Sequence, residues 1–201
     1  MLLVGLTGGL ASGKSTVARL LTERGAVVVD ADELSRRAVA PGSPQLDRIV
    51  ETFGPEVLAA DGSLDRAALA RVAFGDETRR RQLEAILHPE VFRLLGEAVA
   101  EHRETGHVVV FDAPLIFETG FDEACDLVVA VGANEATRVQ RVMRDRGMDE
   151  GDARSRIAAQ APEAERLARA DIVIENDGSL EDLERRVDEL WGQLSRRAAG
   201  A

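Results

Sequence analysis

The chain has a single lysine. Among its 201 residues the count of Lys+Arg is 25, and every member of that count except Lys14 is arginine. Cysteine is equally scarce: Cys125 stands alone, so no internal disulfide can form. That thiol reads as a small buried apolar residue, because no motif around it supports a nucleophile. No apolar run approaches the roughly 20 residues that span a bilayer. The opening Met-Leu-Leu-Val-Gly-Leu also lacks the basic segment and cleavage site of a signal peptide. The expectation is therefore a cytoplasmic protein with no membrane partner, present as a monomer or weak homo-oligomer. Positive charge is in deficit too, with a formal net charge of -11. That excludes a general nucleic-acid binder, which needs an excess of cations to displace phosphate counterions. Any polyanionic ligand must be met by a local basic cluster.

Short continuous apolar runs recur at Leu2 to Leu6, Ala26 to Asp30, His107 to Phe111, Leu127 to Val131 and Asp171 to Glu175. Their length and continuity suit strands buried on both faces. Between them lie stretches with apolar residues three and four apart, such as Val17, Leu20 and Leu21, or Leu83, Ile86 and Leu87. Five strands alternating with helices imply an α/β fold with a parallel sheet covered on both sides. The spacing is uneven: about 75 residues separate the second and third runs and about 40 the fourth and fifth, more than a crossover needs. Both gaps read as helical insertions. Turns are expected at Pro41 to Pro44 and Ala60 to Ser63, and a frayed tail from Arg196 to Ala201.

Gly8, four residues, then Gly13, Lys14 and Ser15 form the pattern of a phosphate-binding loop, placed between a strand and a helical stretch. Glycines let backbone N–H groups turn toward a phosphate chain, and the helix N-terminus adds its positive end. Lys14 suits the outer phosphates as a compact charge, whereas arginine's planar fork suits flat bidentate partners. Ser15 would bind Mg²⁺ through its hydroxyl. A nucleoside triphosphate site follows, and the loop alone does not distinguish kinase from GTPase or ATPase.

A kinase also needs an acceptor pocket, a group that orients the acceptor, and cations that follow the phosphoryl group. Asp30 and Asp32 end the second run, where ligands of open α/β sheets gather. In an extended segment both carboxylates face one side; alternatively Asp32 caps the following helix. Asp112 ends the third run, as a carboxylate holding the waters of Mg²⁺ or as a turn residue. Arg138, Arg141 and Arg144 are three apart and share one broad helical face, suited to a lid over phosphates. His88 precedes Pro89, which is expected to end one helix and begin the next; His88 is either a substrate contact or a helix cap.

Taken together the residues resemble the dephospho-CoA kinase family. The features that carry the resemblance are the phosphate loop, Asp30-Ala31-Asp32, Phe53-Gly54, Asp61 to Arg66, Leu83 to Pro89, Pro114 to Glu118, Gln160, and Ala170-Asp171 followed by Asn176. The resemblance implies a P-loop three-layer α/β/α fold with a five-stranded parallel sheet, a core of 1–40, 105–135 and 165–201, a helical coenzyme A insertion over 41–104 and a lid over 136–164. It implies transfer of phosphate from ATP, with Mg²⁺, to the ribose 3′-hydroxyl of dephospho-coenzyme A. By the same resemblance Gly8, Gly9, Ala11, Ser12, Gly13, Lys14, Ser15, Thr16, Arg141 and Asn176 hold the nucleotide, with Asp171 toward the adenine. Asp32 is the base for the hydroxyl beside Asp30, and Phe53, Leu69, His88, Pro114 and Leu115 attend the acceptor. Two departures stand out: Ala11 occupies a position where many relatives have glycine, and Asp145 falls where many carry a second lid arginine, between Arg144 and Arg146. The competing readings are another P-loop kinase acting on a nucleoside or nucleoside monophosphate, and a GTP-dependent switch. The switch lacks its Asn-Lys-x-Asp motif, which a chain with one lysine at position 14 cannot supply.

Overall fold

The computed structural model describes residues 1–73 and 75–200. Five strands form one sheet: β1 (Leu2–Gly8), β2 (Val27–Asp30), β3 (Val108–Asp112), β4 (Leu127–Gly132) and β5 (Ile172–Glu175), in the order β2-β3-β1-β4-β5. β1 runs parallel to β3, with Leu2 opposite Val108, and to β4, with Val4 opposite Leu127; β4 and β5 are parallel with Val129 opposite Ile172. The strands fall on the five apolar runs. All seven residues of β1 are buried, which is why the run shows no polar alternation.

Helices of the described residues are α1 (Lys14–Glu23), α2 (Ala31–Ala38), α3 (Pro44–Phe53), α4 (Arg66–Ala73), α5 (Glu77–Ala100), α6 (Glu135–Arg146), α7 (Glu150–Ala158), α8 (Glu163–Arg169) and α9 (Leu180–Ala199). The chain forms two compact units, one of Met1–Val29 with His102–Ala201 and one of Asp30–Glu101.

In the first unit Leu2, Val4 and Leu6 of β1 and Val129 and Val131 of β4 meet Val17, Leu20 and Leu21 of α1 and Leu183, Val187, Leu190 and Leu194 of α9 in one core. The helical residues recur at three and four, so each helix presents a single apolar stripe to the sheet. On the opposite face β1 is shaved to glycine: a Cβ on Gly5 would lie 2.4 Å from Ile116 Cδ1 and 3.2 Å from Cys125 Sγ. The segment after β3 packs down through that gap. α9 begins with a capping box of Ser179 and Asp182. It continues to Ala199 with Ala198 buried, so the tail from Arg196 is helical where fraying was expected; Ala201 lies outside the described residues. An apolar residue on the core-facing stripe, one helical step from Leu194, holds that last turn.

The second unit has its own core of Val39, Ile49, Phe53, Val57, Leu69, Leu83 and Ile86. Ser43 caps α3, with Pro44 at its first turn, and Asp61 accepts from the Ser63 amide and hydroxyl in a turn whose flanks, Leu58 and Leu64, form an antiparallel bridge. Both expected turns are thus present. Pro89, however, does not divide two helices. It sits inside the 24-residue α5, whose buried residues Leu83 and Ile86 before it and Val91, Leu94 and Leu95 after it lie within one helix. Burial on both sides offsets the roughly 3 kcal/mol that an interior proline costs.

Candidate active site

β1 runs into a loop, Gly9 to Gly13, that turns into α1. Gly8 and Gly13 are glycine for steric reasons: a Cβ on Gly8 would lie 2.5 Å from Ser12 Oγ and 2.8 Å from the Val131 carbonyl oxygen, and one on Gly13 only 2.1 Å from Asn176 Nδ2. Gly13 adopts φ 98°, the left-handed region that favours glycine. Ala11 adopts φ 58° without being glycine, so the position where the methyl group departs from the common pattern is the one that carries strain.

The outward direction of the loop amides follows from what holds its carbonyls. The Leu10 carbonyl accepts from Arg138 Nε at 2.9 Å, and the Ser12 carbonyl accepts from Asn176 Nδ2 at 2.7 Å and from Arg141 Nη1 at 3.4 Å. The Ala11 carbonyl accepts from Arg141 Nη1 at 3.3 Å. No peptide bond of the described residues is cis, and in a trans peptide C=O and N–H point opposite ways. The N–H groups of Ala11 and Gly13 therefore turn away from these side chains. α1 opens with no side-chain cap and no acidic residue in its first turn, leaving its N-terminal donors for a ligand. Above them is a cavity of about 570 Å³ lined by the loop, Lys14, Ser15, Thr16, Arg141 and Asn176.

Lys14 reaches across to the Asp112 carboxylate at the end of β3 and forms an ion pair with it. Asn176, just past β5, is buried; its backbone N–H donates to the Gly132 carbonyl at 2.7 Å and its backbone carbonyl accepts from Arg141 Nη2 at 2.8 Å. Residues from the ends of β1, β3 and β5 and from α6 thus converge on one concavity carrying Lys14 and Arg141, the local basic cluster that an acidic chain needs for a polyanion.

The model of the dephospho-CoA kinase family matches residues 2–182. The chain belongs to the dephospho-CoA kinase family. It is 51% identical to the dephospho-CoA kinase of Streptomyces avermitilis over 98% of this chain and 96% of the relative, and 48% identical to that of Thermobifida fusca over 98% of both. A crystal structure of a Thermus thermophilus protein superposes with a TM-score of 0.82 at 40% identity, covering 96% of this chain and 97% of that one. A shikimate kinase from Bacteroides thetaiotaomicron, with a TM-score of 0.53 at 14% identity, shares the fold over 96% of this chain and 98% of its own. The chain is a kinase of coenzyme A biosynthesis, acting on dephospho-coenzyme A in the final step. The nucleoside and nucleoside monophosphate readings are set aside.

The three arginines expected to share a lid face have different fates. Arg138 is buried, 4% exposed, beneath the loop, and burial pushes its pKa down. Arg141 lines the cavity. Arg144 lies on the surface, bidentate to its neighbour Asp145 through Nε at 2.6 Å and Nη2 at 3.1 Å, and that contact raises its pKa; Arg144, Asp145 and Arg146 all border the cavity. The shared face expected for all three is therefore not what folds. Three residues advance a helix by about 300°, so Arg138 and Arg144 end about 120° apart.

Asp171 also differs from expectation. It precedes β5 at the amino end of the sheet, where its carboxylate accepts from the Val128 N–H at 2.7 Å, tying β5 to β4 rather than facing a nucleotide. Gln160 reaches the loop, its Oε1 accepting from the Leu10 N–H at 2.8 Å. Glu163, which sequence reasoning missed, ion-pairs with Arg138 and accepts from the Ala133 N–H at 2.9 Å. An isolated glutamate at a helix start carries no signal that it has a buried partner 25 positions earlier.

In the second unit the backbone turns from strand to helix between Asp30 and Ala31, so Asp30 and Asp32 are not two residues of one extended segment. Asp30 is the helix cap, its Oδ1 accepting from the Asp32 N–H at 2.7 Å and the Glu33 N–H at 3.1 Å, and Asp32 lies in the first turn of α2. Phe53 and Leu69 are buried in that unit's core, and His88 is half-buried on α5. In the first unit Pro114 borders the loop cavity, its carbonyl accepting from Thr7 Oγ1 at 3.1 Å, while Leu115 is 54% exposed.

Proposed function

We propose that the loop cavity holds ATP with Mg²⁺, and that the phosphoryl group passes from it to the ribose 3′-hydroxyl oriented by Asp32. The observation that carries this reading is Lys14, the only lysine, placed at the mouth of an uncapped helix inside a cavity sized for a nucleotide. The outward N–H groups of Ala11 and Gly13 bind phosphate oxygens, Lys14 exchanges Asp112 for the outer phosphates, and Arg141 neutralises charge beside them. Asn176 fixes Arg141 through its carbonyl.

The residues present fit a magnesium ion. The Ser15 hydroxyl and the Asp112 carboxylate are hard oxygen donors, and Mg²⁺ takes one or two of these and completes its octahedron with phosphate oxygens and water. When bound, the ion offsets charge on the transferring phosphoryl group. Asp32 accepts the hydroxyl proton, held in place because Asp30 caps the turn on which it sits. Phe53 and Leu69 shape the acceptor unit from within its core, and His88, Pro114 and Leu115 attend the acceptor. Arg146 is the second lid arginine, because Asp145 already offsets the charge of Arg144. The reading extends to a cytoplasmic enzyme.

A coupled assay of ADP release with ATP, Mg²⁺ and dephospho-coenzyme A tests it. Asp32→Asn is expected to retain ATP affinity and lose turnover by about a hundredfold or more; unchanged turnover removes Asp32 from the chemistry. Lys14→Arg is expected to lose activity although charge is kept, since the planar fork does not fit the loop.

A further inference from the structure

We propose that Arg138, with Gln160 and Glu163, is a buried brace that holds the Leu10–Ala11 peptide with its N–H toward the phosphates of the nucleotide. The inference rests on the loop being the nucleotide site. Arg138 spends each end of its guanidinium on a different partner. Nε donates to the Leu10 carbonyl at 2.9 Å, Nη2 donates to Gln160 Oε1 at 3.0 Å, and Nη1 pairs with the Glu163 carboxylate. The same Gln160 oxygen accepts from the Leu10 N–H at 2.8 Å, so both polar backbone groups of Leu10 are held from α6 and the segment before α8. Gly9 makes room for this: a Cβ there would lie 2.9 Å from Arg138 Nη2.

The brace opposes a definite alternative. Turning the Leu10–Ala11 peptide over by half a rotation changes the Ala11 φ by about 180°, from the strained 58° to about -120°, a negative φ free of the left-handed penalty that alanine meets at 58°. The flipped peptide presents a carbonyl oxygen where the phosphate needs an N–H. Local conformational preference at Ala11 thus favours the wrong orientation, and the contacts of Arg138 and Gln160 to Leu10 favour the right one. Arg138 is a positioning residue: it acts through the Ala11 amide and sits under the loop, not in the phosphate cavity. A chain with glycine at this position has far less preference to flip, so the need for the brace is tied to the alanine found here.

The test measures the Kd for ATP by calorimetry and the kinetics of the full chain. Arg138→Met is expected to weaken ATP binding about tenfold or more, the scale of a lost charge-assisted hydrogen bond, with the KM for dephospho-coenzyme A moving less than about twofold. Ala11→Gly in that background is expected to recover ATP affinity by a factor on the order of five beyond its effect in the wild-type chain, because it removes the drive to flip. A purely structural loss would not be rescued by a glycine in the loop. An ATP Kd within about twofold of wild type in folded Arg138→Met, or an Ala11→Gly effect equal in both backgrounds, overturns the brace. Should Arg138→Met not fold, the same two measurements are made on Arg138→Met/Glu163→Gln, which removes the orphaned charge while keeping the acceptor for Ala133. Lys14→Met separates the two ideas. If it keeps wild-type ATP affinity, the loop reading fails and the brace with it; if it loses ATP while the Arg138 variants do not, the brace alone fails.

Discussion

Replacing Gly13 by alanine should unfold the protein at markedly lower temperature. Two costs add. Alanine at φ 98° costs about 1–2 kcal/mol in the left-handed region. The new Cβ would lie 2.1 Å from Asn176 Nδ2, so the amide must withdraw and break its 2.7 Å bond to the Ser12 carbonyl. Leaving a buried acceptor short of a partner costs about 1–3 kcal/mol, reduced because Arg141 Nη1 lies 3.4 Å from the same oxygen. The smaller unfolded-state entropy of alanine returns about 0.4–1 kcal/mol. The net is about 2–4 kcal/mol, or a fall in Tm of roughly 5–15 °C for a chain of this size. Thermal and urea unfolding of Gly13→Ala in the wild-type and Asn176→Ala backgrounds reads both parts. In the second background only the backbone cost less the unfolded-state return, about 0.5–1 kcal/mol, should remain. A total cost below about 1 kcal/mol, or equal costs in both backgrounds, refutes the reasoning.

Three further outcomes are expected. Cys125 is half-buried rather than fully buried as expected, and that partial burial, with Asp122 and Asp126 nearby, pushes its thiol up to about 12 from 9.0, so its reaction with a thiol reagent at pH 8 should be on the order of a thousandfold slower than in urea; equal rates would refute that shielding. Ser179 and Arg185 hold the Asp182 carboxyl down to about 2 from 3.8. Its native pKa lies below the unfolded one, so its support of α9 is complete above about pH 4 and fades toward pH 2; carboxyl NMR should place its midpoint near 2, and a midpoint near 4 would remove the capping box. Arg146→Ala should reduce turnover more than Arg144→Ala, because Asp145 already offsets the charge of Arg144; the reverse order in steady-state kinetics would assign the lid role to Arg144.

The sheet and the loop were legible because each leaves a local mark. The three central strands, buried on both faces, read as near-continuous apolar runs, the edge strands β2 and β5 read the same way although they are only partly buried, and the loop's glycines and lysine stand at fixed offsets before a helix. Ala11 was legible as a departure, and its φ confirms the strain. What was hidden depends on partners far along the chain. Spacing could not reveal that Arg138 points under the loop while Arg144 points to solvent, since a helical step of three slowly rotates around the axis. Pro89 looked like a boundary because its local cost is visible and the buried leucines and valines flanking it are not weighed against it by pattern alone. Asp30 and Asp32 looked equivalent until the backbone was seen to turn into a helix between them, giving the cap to the first.

The Lys14–Asp112 pair turns the scarcity of lysine into a labelling property. An amine-directed reagent finds one side-chain target in the chain besides the terminal amine, and that target is 16% exposed and ion-paired beside the loop cavity. On the proposed nucleotide site, acylation of that amine becomes an occupancy count: one equivalent of label at Lys14 is expected for each open cavity, and protection for each filled one. A lysine-specific endoprotease has a single cut site in the chain, in the first turn of α1, so digestion after unfolding cuts unlabelled chain and leaves chain acylated at Lys14 intact, which reads the label on a gel.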